Sequence, residues 1–268
     1  MDYNKLLQSL EDFGETAQGL VKRRLRVEIG AIQENVIMSP SWEPTDMPCF
    51  EAAELISPLE ASDVKVWDIR SRKLALTYIK TGITSPHFLE RLLSLGVTNC
   101  KRIIFIGSAG SLDAHIHIGD ILIPGYSVCG DGASRYIASD NLRHDVFGEK
   151  TYPDARLAER LIHETTRICS ERNASWHMGK TFSTDSVLTE FLHKDTVLDL
   201  RCNSIEMETA VAFRAAKFMG IPLAALLVVS DNIITRKSLF HGRTAEDMAC
   251  FKLVKNEMMP RIVLAALR

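Results

Sequence analysis

Short apolar runs alternating with stretches of helical spacing predict an α/β fold built on one largely parallel or mixed sheet. Three observations carry that prediction. The runs at 102–106, 118–127 and 223–229 are rich in Ile, Val and Leu and too continuous for a sheet with one wet face. Between them, 86–95, 154–172 and 206–219 repeat their apolar residues at helical intervals. With 46% apolar residues, a chain of 268 can bury one large core, and nothing in the composition demands a second.

In chain order, residues 1–34 read as a helical, charged extension ahead of a main domain at 35–268. Leu6, Leu7, Leu10 and Phe13 stand at helical spacing and are followed by the basic cluster Lys22-Arg23-Arg24. This extension is expected on the surface or across a subunit contact. Pro40, Pro44 and Pro48 make 39–48 a loop, because proline lacks the N–H a central strand or helix needs. Strands are expected at 64–69 and 74–79 around a turn at 70–73. Pro86 then opens a helix that Gly96 stops.

The strand at 102–106 runs into Gly107-Ser108-Ala109-Gly110-Ser111, and Gly119-Asp120 marks the entry to the next strand. A helix at 154–172 and a strand at 176–182 follow. The helix expected at 206–219 is closed by Gly220 and Pro222, and 244–267 supplies a last helix with Pro260 as its candidate break.

Formal charge is −2 with dispersed basic residues, which leaves no electrostatic footprint for nucleic acid or an anionic membrane. A small molecule is the better partner. No stretch reaches the ~18 uninterrupted apolar residues of a membrane span, and the first residues do not resemble a secretory leader. Six dispersed cysteines without a C-x-x-C pair are expected as reduced, buried thiols of a cytoplasmic protein.

The richest stretch chemically is Ser204-Ile205-Glu206-Met207-Glu208-Thr209-Ala210, two acids at the expected start of a helix. Carboxylates there sit at the positive end of the helix dipole, and from the residues alone the pair also reads as helix-capping acids. Asp231 follows the apolar run at 223–229, where open α/β sheets place ligands. Two acidic positions are thus expected on one crevice. The glycine-rich turn at 107–111 lacks the G-x-G-x-x-G spacing of a dinucleotide site, although such a loop lets backbone N–H groups approach an anion or a sugar. His115 and His117 share a strand face without an evident third ligand, so no metal is expected. The segment 233–243, with Arg236, Lys237 and His241, reads as a loop or as a lid.

The order of these motifs resembles the nucleoside phosphorylase superfamily, which includes purine nucleoside and uridine phosphorylases and the methylthioadenosine/adenosylhomocysteine nucleosidases. The resemblance is carried by G-S-A-G-S-L-D from Gly107, I-G-D-I from Ile118, D-G-A-S-R-Y from Asp131, H-M-G-K-T-F-S-T-D-S from His177, I-E-M-E-T-A from Ile205 and V-V-S-D from Val228. It implies a single α/β domain whose central mixed sheet curls toward a barrel with helices flanking it, assembled as a homo-oligomer (dimer, trimer or hexamer).

By that resemblance Glu208 binds the ribose hydroxyls, Met207 packs on sugar and base, and Glu206 is the first acid of the motif. Asp231 is the acid that protonates a purine ring nitrogen as the base leaves. Catalysis is thereby implied for Asp231 and Glu208. Ser108 and Gly82 fall in the phosphate or nucleophile region, and Tyr136 and Phe182 are candidate base-stacking residues. Uridine-specific members lack an acid at the position of Asp231, which points to a purine, whereas D-G-A-S-R-Y is closer to uridine-type sequences.

The sequence departs from the family where phosphate binds. A G-D-P-x-R loop and an arginine before the G-S motif are typical, but Met38-Ser39-Pro40-Ser41-Trp42-Glu43-Pro44 and Phe105-Ile106 stand there. A dianion in a cleft needs charge-assisted donors. Phosphorolysis to free base and ribose 1-phosphate would then need Ser108 with a basic residue from elsewhere, such as Arg70, Arg72, Arg135 or a neighbouring subunit. Hydrolysis is the alternative, with Glu43 near the place of the nucleosidases' catalytic base. A third possibility is a nucleoside-binding protein that has lost its chemistry. No organic cofactor is implied, inorganic phosphate being a co-substrate.

Overall fold

The computed structural model describes residues 2–50, 52–60, 64–70 and 74–268. Among them lie ten strands: β1 (Asn35–Ser39), β2 (Ala53–Leu55), β3 (Lys65–Arg70), β4 (Ala75–Lys80), β5 (Arg102–Ser111), β6 (Ile121–Cys129), β7 (Lys150–Thr151), β8 (Trp176–Ser183), β9 (Ser204–Glu206) and β10 (Leu223–Asn232). The helices are α1 (Tyr3–Asp12), α2 (Ala17–Leu25), α3 (Ser85–Ser94), α4 (Ala155–Arg172), α5 (Glu190–Asp199), α6 (Thr209–Met219), α7 (Ala245–Leu253) and α8 (Met259–Ala266). The turn expected at 70–73 extends beyond the described residues, and Arg72 lies outside them.

The sheet runs β10-β6-β8-β9-β5, and β10 pairs back onto β5, so these five strands close into a ring. From β5 the sheet continues through β1, β4, β3 and β2. Pairing is mixed: β1, β4, β5 and β10 are mutually parallel where they meet, β6 is antiparallel to β10, and β9 is antiparallel to β5. Closure leaves β10 no wet face, and all ten of its residues are buried, which is why it reads as a continuous apolar run.

Apolar clusters fill both faces of the sheet. One joins Phe88, Leu92, Ile103, Phe105 and Leu227 to α6 through Val211 and Phe213, and the other packs Ile104, Leu226 and Val228 against α4 and α8. Segment 1–34 belongs to the first cluster through Val21, Leu25, Val27 and Ile32. Tyr3 also donates its hydroxyl to the Leu93 carbonyl and sets its ring edge-on to Phe218, 5.6 Å away.

Several elements differ from the sequence expectation. The strand expected to stop at Ile106 continues through the glycine segment to Ser111, because β10 pairs with it along that whole length. The helix expected from 206 begins at Thr209, and Ser204–Glu206 is a strand held between β5 and β8. The last helix is broken by a π-helical turn at Val254–Met258, and Pro260 sits harmlessly in the first turn of α8, where its missing N–H is not needed. Helix α5 had no reading in the sequence, since apolar and polar residues surround it with no clear face. Of the six cysteines expected to be buried, Cys49 and Cys250 are exposed.

Candidate active site

Sheet closure brings the two acidic motifs together. In the ladder, Gly110 of β5 pairs with Ile205 of β9 on one side and Asp231 of β10 on the other. A register shift between Val229 and Asp231 bulges β10 at Ser230, and a bulge of this kind re-aims the following side chain. A Cβ at Gly110 would meet Asp231 Oδ2 and Ile205 Cγ2, both at 3.2 Å, so glycine is what lets these three backbones and the carboxyl group crowd together.

One cavity receives Ser108, Glu206, Met207, Glu208 and Asp231, and its wall also includes Pro40, Ser41, Ile83, Val187, Glu190 and Leu239. Ser108 is the exposed residue in an otherwise buried strand, and its hydroxyl has no hydrogen-bond partner among the described residues. The candidates Ser108, Glu206, Met207, Glu208 and Asp231 therefore share one space.

The two glutamates do different work. Glu206 accepts hydrogen bonds from Glu208 N, Thr209 N and Thr209 Oγ1, each at 2.7 Å, and from Ser183 Oγ. It thereby caps the N-terminus of α6 from one strand away, which supplies the partners that the first helical N–H groups lack. Glu208 accepts one hydrogen bond, 2.8 Å from Thr84 N. Burial, then the nearby charge of Glu206, pushes Glu208 up to about 8. Burial also raises Glu206, against the four donors that favour its anion. Burial thus raises both carboxyl groups of this pair, against the donors that favour their anions.

The loop before α3 aims the Thr84 donor. Gly82 has φ +80°, and Thr84 is held at φ +93°, a conformation a β-branched residue adopts only under constraint. The constraint includes Asp185, which accepts from Ser85 Oγ and, at 2.7 Å, from Gly132 N. Gly82 itself is not in the cavity wall, where its neighbour Ile83 stands instead.

Asp231 is 3% exposed and accepts a 2.7 Å hydrogen bond from Ser230 Oγ. Burial raises its pKa above the ordinary carboxyl range. A buried acid so raised can hold a proton for a leaving group. Segment 233–243 arches over this end: Leu239 reaches the cavity, and the ring of Phe240 lies 6.2 Å from that of Phe191 on α5. Arg243 fastens the segment by donating to the carbonyls of Leu239 at 2.8 Å and Ser230 at 3.5 Å.

Other candidates fall elsewhere. Phe182 is buried beside Phe147 and lines an adjoining cavity that shares Thr184, Glu190 and Ile205 with the acidic one. Tyr136 and Arg135 line a separate groove together with Leu6, Pro86 and Phe218. Glu43 accepts from Lys80 at 2.7 Å and Lys65 at 3.1 Å, and these lysines hold it below the usual carboxylate range, which weakens it as a base. Arg70 pairs with Asp68 at the C-terminal end of β3. Two residues of the site escaped the sequence reading, Thr84 and Glu190. Thr84-Ser85-Pro86 carried the signal of a helix start, which does not reveal that Thr84 N reaches Glu208, and nothing marked Glu190 because α5 itself had no reading.

A closed five-stranded ring with helices on both faces and an acid-bearing cavity beside its strand ends is the fold of nucleoside phosphorylases and nucleosidases. Residues 70–267 match the family model described as the phosphorylase superfamily, and the chain belongs to that superfamily. It is 25% identical over 227 residues to a DeoD-type purine nucleoside phosphorylase of Buchnera aphidicola, covering 78% of this chain and 89% of that one. A DeoD-type purine nucleoside phosphorylase of Hahella chejuensis is 29% identical over 196 residues, covering 69% and 76%. Among solved structures, AMP nucleosidase from Bacteroides thetaiotaomicron superposes with a TM-score of 0.68 at 16% identity, covering 94% of each chain. Uridine phosphorylase from Vibrio fischeri does so with a TM-score of 0.67 at 19% identity, covering 89% and 92%.

Proposed function

We propose that this protein cleaves the N-glycosidic bond of a purine nucleoside, with phosphate as the acceptor. The observation that carries the reading is that Glu208 and Asp231, buried acids from different elements, face one cavity that also receives the free hydroxyl of Ser108. In this reading the ionised Glu208 accepts hydrogen bonds from the ribose hydroxyls, and their strength grows as positive charge builds on the sugar. Asp231 gives its proton to the purine ring nitrogen as the bond to C1′ breaks, the bonding pair leaving with the base. Phosphate then attacks C1′ from the side of Ser108. The curated relatives named above, which are purine nucleoside phosphorylases, support this acceptor.

Hydrolysis has an observation of its own. The described residues lining the cavity include Glu190, Glu206, Glu208 and Asp231 and no lysine or arginine, a poor setting for a dianion. Water, being neutral, meets no such repulsion.

Base release from adenosine, inosine, guanosine and uridine, assayed with and without phosphate, tests both. Phosphate-dependent release with formation of ribose 1-phosphate is expected, and purines should exceed uridine. Release without phosphate would transfer the proposal to hydrolysis, and binding without release of any base would leave only a nucleoside-binding role. Asp231→Asn should lower purine turnover by about 10²-fold with the fold intact.

A further inference from the structure

We propose that Glu190 reads the base: its carboxylate accepts a hydrogen bond from the exocyclic amino group of a 6-aminopurine and so selects it over a 6-oxopurine. The inference deepens the proposed function and rests on its placing of the base beside Asp231.

Glu190 opens α5 and is 8% exposed, yet no described residue donates a hydrogen bond to it. Glu190 lines both the acidic cavity and the adjoining cavity of Phe182. Burial, then the nearby charge of Asp231, pushes Glu190 up to about 7, so the carboxylate predominates above neutral pH, which is why the test is set at pH 8. Since no described residue donates to this carboxyl, a donor-bearing molecule entering the cavity that Glu190 lines would supply the hydrogen bond it lacks.

What must enter follows from the second acid. Asp231 is near enough for its charge to act on Glu190, and the two bound the same space. Once Asp231 has protonated the ring nitrogen N7, adenine presents two donors side by side on that edge, N7–H and the 6-amino group. Two neighbouring carboxylates match that pair. Hypoxanthine and guanine place a carbonyl oxygen at the second position, where an ionised Glu190 would face it acceptor to acceptor. Discrimination built on an unpaired buried group of this kind is strong.

The test is calorimetric binding of adenine and hypoxanthine at pH 8, together with kcat/KM for adenosine and inosine, on the full chain, on Glu190→Gln and on Glu190→Asp. Glutamine keeps the shape but offers a donor as well as an acceptor, and aspartate withdraws the carboxylate by one methylene. The wild-type chain is expected to favour adenine, and either variant should reduce the adenine-to-hypoxanthine ratio by about 10-fold or more. An unchanged ratio in both variants, a preference for hypoxanthine in the wild type, or no binding of either base would overturn the inference. If adenine binds in a Glu190-dependent way but no nucleoside is cleaved, the inference stands and the proposed activity fails. If nucleosides are cleaved with a ratio indifferent to Glu190, the activity stands and the inference fails.

Discussion

Thr84 donates its backbone N–H to Glu208 across 2.8 Å, joining the loop before α3 to the start of α6 over 124 residues of chain. The contact depends on a loop conformation with φ +80° at Gly82 and φ +93° at Thr84. Gly82→Ala should therefore lose about 1 kcal/mol of stability. It should also lower kcat/KM by about 10-fold as the donor drifts from Glu208. Thr84→Gly relieves its own strain while keeping the N–H, so stability should stay within about 1 kcal/mol of wild type. Urea unfolding and steady-state kinetics on both variants check this, and a larger loss for Thr84→Gly than for Gly82→Ala would contradict it.

The two acids of the motif should separate by stability. Removing Glu206 strands the first N–H groups of α6 and the hydroxyls of Ser183 and Thr209, so Glu206→Ala is expected to cost about 2–4 kcal/mol. Glu208→Ala removes a buried acid that the Thr84 amide alone holds from another element, and should cost less than about 1 kcal/mol while abolishing turnover. Equal destabilisation by both, measured by denaturant midpoints, would refute this division of labour.

Glu208 also sets a pH dependence. Its pKa is raised from 4.5 to about 8, so the folded chain holds a proton there that the unfolded chain has released. The stability this provides is complete below pH 4.5 and is lost as pH rises toward 8. Glu208→Gln should flatten the fall of Tm across that window. Catalysis should move oppositely, with kcat/KM rising toward pH 8 as the acceptor of the sugar hydroxyls ionises. A kcat/KM profile that falls over pH 6–8 would exclude the ionised Glu208 from sugar binding.

Gly110 controls the approach of Asp231. An added Cβ would stand 3.2 Å from both Asp231 Oδ2 and Ile205 Cγ2, which is tight enough to displace the carboxyl by a few tenths of an ångström. Gly110→Ala should reduce kcat by about 10-fold through misplacement of the acid, with substrate affinity less affected. An unchanged kcat would show that the position of Asp231 tolerates that shift.

Much of this was legible one element at a time. Continuous apolar runs marked β5, β6 and β10 because both faces of those strands are covered, and Pro86 and Gly220 marked helix ends through their own backbone restrictions. The motif order carried the family, which residues 70–267 bear out. Less legible were the limits of elements set by pairing. Glycine-rich 107–111 looks like a loop until β10 is laid against it, and Glu206 looks helical until β9 is seen between β5 and β8.

The sequence by itself determined the α/β class and the identity of the acids at 206, 208 and 231, since each is written in local composition and spacing, and its resemblance to the family exposed the departure from the usual phosphate arginines. Only the tertiary structure decided that Glu206 caps a helix while Glu208 takes its bond from Thr84 N, that Glu190 lines the same cavity, and that Glu43 is paired with Lys65 and Lys80. Those outcomes depend on contacts between residues far apart in the chain. Burial and partner geometry, which local spacing does not encode, set a carboxyl group's charge and therefore its role.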